Sequence, residues 1–145
     1  MKIVQVSDEL RATPAFAHIR REWPEIVLHD AVSNAYWRRL YSERREFQFA
    51  LVEDAALLAE GNSIPVSGMP AGWREALSNG FDKCAPDRLC ALAVLVDPDY
   101  QGRGLSRVML EHMRACVRAR MDLIAPVRPS LKGHNPLLLA YPEAA

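Results

Sequence analysis

Leu89 to Val96 read Leu-Cys-Ala-Leu-Ala-Val-Leu-Val, eight apolar residues in succession with no polar position among them. A strand with one face in water alternates, so an unbroken run of this length predicts a strand buried on both faces, as at the centre of a mixed sheet with helices on either side. The segment Asp97 to Ser106 follows as a turn. From its end Leu105, Val108, Met109, Met113, Cys116 and Val117 recur at intervals of three and four, with Arg107, Glu111, Arg114 and Arg118 on the other side. That spacing predicts an amphipathic helix of about four turns. Met121 to Val127 supplies another short strand, and if the two strands are parallel the unit is a right-handed crossover.

The preceding residues fit around this unit. Lys2 to Val6 is a β-branched run and a first strand. Thr13 before Pro14 starts a helix, because threonine caps free amides and proline needs no donor at the first helical position. Its apolar stripe is Phe16, Ile19 and Trp23, ending at Pro24. A second helix is expected over Val32–Arg45, with Asp30 near its start and Val32, Tyr36 and Leu40 on one face. From Phe47 the alternation of Phe47, Phe49 and Leu51 reads as a hairpin that turns at Glu53-Asp54, with Glu60 ending the third strand. Asn62 to Asp87 carries three glycines and three prolines and is expected to be mostly loop, with one short helix closed by Asn79-Gly80.

With 145 residues, half of them apolar, the chain suffices for one domain around one core. Its formal net charge is zero, which argues against nucleic acid as the main partner. The pairs Arg20-Arg21, Arg38-Arg39 and Arg44-Arg45 lie in helix-like stretches and read as solvated faces. Cys84, Cys90 and Cys116 form no CxxC pair and there is no histidine cluster at ligand spacing. The expectation is free thiols in a reducing cytoplasm and no metal site. The N-terminus reaches charged residues too early for a signal peptide, and the longest apolar run is too short to span a bilayer, so no membrane association is expected.

A glycine turn leading into a helix has a specific use. The first helical amides lack intrahelical partners and carry partial positive charge, and glycines let a bulky anion approach them. Gly102 and Gly104 give room, and Arg103 and Arg107 add charge. On the glycines alone a phosphate cradle and a plain turn stand equal. A Rossmann site would need a third glycine where Arg107 stands, and a P-loop would need a Gly-Lys-Ser/Thr sequence that does not follow Gly104.

Gln101-Gly102-Arg103-Gly104-Leu105-Ser106 resembles the pyrophosphate-binding signature of the GNAT superfamily of N-acetyltransferases, with serine where the family prefers glycine or alanine in the last place. The Ala93–Pro98 segment is similar to that family's fourth strand, and the Gly72–Phe81 and Ala125–Lys132 segments resemble an uncharacterised bacterial branch. The resemblance implies an α/β fold, a mixed sheet flanked by helices, with acetyl-CoA as co-substrate and acetyl transfer to a small-molecule or protein amine. It implies that Gln101, Gly102, Arg103, Gly104, Leu105, Ser106 and Arg107 hold the pyrophosphate. The fourth and fifth strands are expected to splay apart, so that the backbone of Leu95 or Val96 can face the thioester as an oxyanion donor. Pro126 suits a strand whose neighbour has moved away, since it cannot donate a ladder bond.

The chemistry also needs a general base, and here the residues give little. Glu60, Asp87 and Tyr141 are weak catalytic candidates, the first two read as solvated strand-end charges and the third as a packing residue. His112 reads as a boundary residue of the long helix. Trp37, Tyr41 and Trp73 line an acceptor groove or belong to the core. The proline-rich residues after the fifth strand are too few for the family's closing helix and hairpin, so the domain, 1–145, is expected to be truncated after the fifth strand. That strand would be an exposed edge through which copies could pair. A CoA-binding module without turnover, or another kind of nucleotide-binding module, stays open beside the transferase.

Overall fold

The computed structural model describes residues 1–20, 31–82, 85–117, 120–127 and 137–141. Trp23, Pro24, Asp30, Cys84 and Arg118 lie outside them. The elements are β1 (Lys2–Gln5), α1 (Asp8–Arg11), α2 (Pro14–Arg20), α3 (Ala31–Glu43), β2 (Gln48–Glu53), β3 (Ala56–Val66), α4 (Trp73–Asp82), β4 (Arg88–Val96), α5 (Leu105–Val117), β5 (Asp122–Val127) and β6 (Leu137–Tyr141). The strands form one sheet in the order β1 to β6, antiparallel throughout except that β4 and β5 run parallel.

Local chemistry sets the boundaries. Thr13 Oγ1 accepts from the Phe16 amide at 3.3 Å, capping α2 as its sequence predicts. Ser7 caps α1 in the same way through the Leu10 amide at 3.1 Å. The β2–β3 hairpin turns at Asp54, which adopts a left-handed φ of 53° that aspartate tolerates.

Both faces of β4 are buried, as the unbroken apolar run requires. Phe16, Ile19, Leu40, Ile64, Leu77, Leu92 and Leu95 form one core beneath α2, α3 and α4. Leu51, Leu89, Leu105, Met109, Met113 and Leu123 form the other, beneath α5. A bulge interrupts β4: Asn62 pairs with Ala93 but Ser63 with Ala91, leaving Leu92 as the extra residue. Leu92 and Ala93 consequently both pack on the α2 side.

Four expectations need correction. The third strand does not end at Glu60 but runs on to Val66, and Glu60 is fully buried within it. Pro65 is tolerated because β2 stops pairing at Gln48–Asn62, so β3 has only β4 beside it there. The helix at Trp73 does not stop at Asn79-Gly80. It continues to Asp82, and Gly80 serves close packing: a Cβ there would lie 2.4 Å from Ile64 Cδ1. Asn79 instead bonds the Ser67 backbone, accepting from its amide at 2.8 Å and donating to its carbonyl at 2.7 Å.

The sheet is also not cut off after the fifth strand. Leu137–Tyr141 pairs antiparallel with Leu123–Val127, so β5 is an interior strand rather than the exposed edge. Pro136 and Pro142 bracket the strand rather than interrupt it.

Candidate functional site

The sheet opens between β4 and β5. Only Arg88, Leu89 and Cys90 pair with β5, against Asp122, Leu123 and Ile124. From Ala91 to Val96 the edge of β4 that faces β5 has no partner strand, while Ala125, Pro126 and Val127 pair with β6 alone. Pro126 thus stands where no bond to β4 is called for.

The register identifies which amides face this opening. The Asp97 amide donates to the Leu58 carbonyl of β3 at 2.9 Å. Residues of an antiparallel ladder alternate between facing the partner and facing away, so Leu95 is also turned to β3, and Val94 and Val96 are turned to the opening. Gln101 corroborates this, its Nε2 donating to the Val96 carbonyl at 3.2 Å. Of the two residues expected to offer an amide, Val96 is therefore the one in position. Leu95 directs its side chain into the core beneath α2.

The opening leads to the turn before α5. Val94, Val96, Tyr100, Gln101, Gly102, Gly104, Leu105 and Ser106 line a cavity of about 240 Å³. Gly102 and Gly104 have φ of +80° and +74°, conformations that L side chains rarely adopt, and a Cβ at either would meet only open space. The first helical bond is from the Val108 amide to the Gly104 carbonyl at 3.2 Å. The amides of Leu105, Ser106 and Arg107 precede it and stand without intrahelical acceptors at the positive end of the helix. The Arg103 guanidinium lies 5.1 Å from the Tyr100 ring centroid, beside the mouth. Arg103 and Arg107 are exposed and do not line the cavity. Val94 and Tyr100 were not singled out from sequence. Val94 could have been found as the residue two before Val96, on the same side of the strand.

The catalytic candidates do not converge on this opening. Asp87 is an exposed loop residue at the far end of β4; it accepts from the Gly68 amide at 2.9 Å and pairs with Arg88 at 3.2 Å. Tyr141 pairs with Leu123, at the end of β5 that still touches β4. Glu60 is the cross-strand partner of Leu95 and belongs to a buried polar cluster. It accepts from the Tyr41 hydroxyl and from Asn62 Nδ2, the latter at 3.1 Å, and Asn62 Nδ2 also reaches Gln48 Oε1 at 3.0 Å. Gln48 Nε2 in turn donates to the Arg44 and Ser63 carbonyls. The cluster ties α3 to the sheet.

Above it a second cleft of about 520 Å³ lies between α1, α2 and α3. Trp37 and Tyr41 are mostly buried yet line it, while Trp73 packs on Trp37 with ring centroids 5.4 Å apart. His112 is half-buried edge-on to Phe49, and desolvation holds its pKa below the ordinary imidazole value. Burial pushes the Cys90 thiol up to about 12, which keeps it an inert core residue.

Among solved structures the chain is similar to the GphF GNAT-like decarboxylase in complex with isobutyryl-CoA, with a TM-score of 0.67 at 20% identity over 88% of this chain and 66% of that one. The fold is GNAT-like. It is similar also to the loading GNATL domain of CurA from Lyngbya majuscula, with a TM-score of 0.67 at 16% identity over 88% of this chain and 64% of that one. A GNAT family acetyltransferase from Brucella melitensis in complex with acetyl-CoA gives 0.58 at 17% identity over 97% and 87%. The chain thus spans just under two thirds of the length of the first two. No protein-family model matches the sequence, and no curated protein matches it. Among the described residues no helix is long and apolar enough to cross a membrane.

Proposed function

We propose that the chain binds an acyl-CoA thioester across the β4–β5 opening and transfers its acyl group, in the first instance acetyl, to an amine. One observation carries the reading: Val96, whose amide faces the opening, lines the same cavity as Gly102, Gly104, Leu105 and Ser106. The likeness to a structure holding isobutyryl-CoA and another holding acetyl-CoA supports it.

In this reading the amides of Leu105, Ser106 and Arg107, with the charge of Arg103 and Arg107, hold the pyrophosphate. The unpaired edge of β4 supplies hydrogen bonds that a closed sheet would have used up. The Val96 amide donates to the thioester carbonyl oxygen, and that bond strengthens as the oxygen gains negative charge during attack.

The test is release of CoA thiol from acetyl-CoA, with a panel of small amines, amino acids and peptides. The expected result is release that depends on one class of amine, with an acylated amine formed in equal amount. Binding of acetyl-CoA without release under any amine would overturn the transferase and leave a CoA-binding module. Carbon dioxide release from a malonyl thioester without an amine would instead indicate a decarboxylase.

A further inference from the structure

At the end of β4, one residue beyond Val96, Asp97 is held on three sides. Its amide donates to Leu58, its Oδ1 accepts from the Asp99 amide at 2.9 Å, and only 14% of its side chain is exposed. Its other oxygen, Oδ2, lies 3.7 Å from Nε2 of His18 on α2.

The position of His18 on its helix gives this pair significance. Phe16 and Ile19 are the buried residues of α2 and point into the core that contains Leu92 and Leu95. Successive helical residues are rotated by about 100°, so Ala17 and His18 fall on opposite flanks of that buried stripe. Ala17 lines the cleft between α1, α2 and α3. His18 takes the other flank and meets Asp97, the residue that follows the last one of β4. His18 is half-exposed, and its second ring nitrogen has no partner among the described residues. An imidazole with one nitrogen at ion-pair distance from a carboxylate and the other nitrogen available is an arrangement from which a base can act.

We propose that His18, oriented by Asp97, is the general base for acyl transfer. The proposal rests on the acyltransferase reading above. The nitrogen of the bound amine attacks the thioester carbonyl carbon and passes its proton to the free nitrogen of His18. The C–S bond breaks with its electron pair going to sulfur, and the proton on His18 then goes to the thiolate, leaving an amide and free thiol. Asp97 stabilises the imidazolium between the two transfers. The pair joins residues far apart in the chain and belongs to neither the cradle nor the Glu60 cluster.

The experiment compares the parent with His18→Ala and His18→Gln, measuring acetyl-CoA affinity by calorimetry and thiol release with the best amine of the panel. The expected result is a turnover loss on the order of 100- to 10,000-fold in both variants, acetyl-CoA affinity within about twofold of the parent, and partial restoration of His18→Ala by added imidazole. His18 is half-exposed, so both variants should fold. Turnover near the parent's in either variant would overturn the base assignment alone. So would a loss of turnover that tracks a loss of acetyl-CoA affinity, since His18 would then serve binding. If the parent itself binds acetyl-CoA but releases no thiol, the acyltransferase reading falls and the base with it.

Discussion

Gly104→Val is expected to abolish acyl-CoA binding, with affinity lost by at least about 100-fold, while the domain still folds. Two effects act together. At φ +74° a β-branched side chain is strained, a cost of roughly 1–2 kcal/mol that lowers the melting temperature by a few degrees. The branched side chain also projects into space that is empty in the structure, so nothing in the fold must move to admit it. That empty space is where a pyrophosphate would approach the amides of Leu105, Ser106 and Arg107. Calorimetry with acetyl-CoA, beside a circular dichroism melt, separates strain from obstruction. A folded variant with the parent's affinity would show that the cradle does not hold phosphate.

Glu60→Ala is expected to cost about 3 kcal/mol of stability, because it takes an acceptor from two buried polar groups and opens a void. The Tyr41 hydroxyl and the Asn62 amide lose an acceptor at a site with no exposure to water. At about 2–4 °C per kcal/mol for a domain of this size, the midpoint should fall by roughly 6–12 °C. Glu60→Gln keeps an oxygen facing Tyr41 and Asn62 and should lose about 1 kcal/mol. A Glu60→Ala protein that melts with the parent but has lost turnover would move Glu60 from the framework to the reaction.

The candidate site was legible where backbone conformation and burial dictate the residue. Gly102 and Gly104 are glycines because φ there is positive, and the Leu89–Val96 run is apolar throughout because both faces of β4 are covered, with the bulge at Leu92 shifting the alternation. Such causes act within a few residues and leave a local trace. Glu60 was misread because the strand continues through Pro65, and a proline is acceptable there only because β2 has already ended. Gly80 looked like a helix stop, but its cause is Ile64 on another element. β6 was hidden by prolines that flank it. The His18–Asp97 pair leaves no local trace, since it arises when α2 packs across the sheet onto the end of β4.

Thermal unfolding with and without acetyl-CoA, with NAD as control, tests the central claim most directly. A ligand at a hundred times its dissociation constant stabilises by about 2.7 kcal/mol, so acetyl-CoA should raise the midpoint by several degrees and NAD should leave it unchanged. An unchanged midpoint with saturating acetyl-CoA, or an equal rise with NAD, would contradict the assignment of the β4–β5 opening and the Gly102–Ser106 turn as an acyl-CoA site.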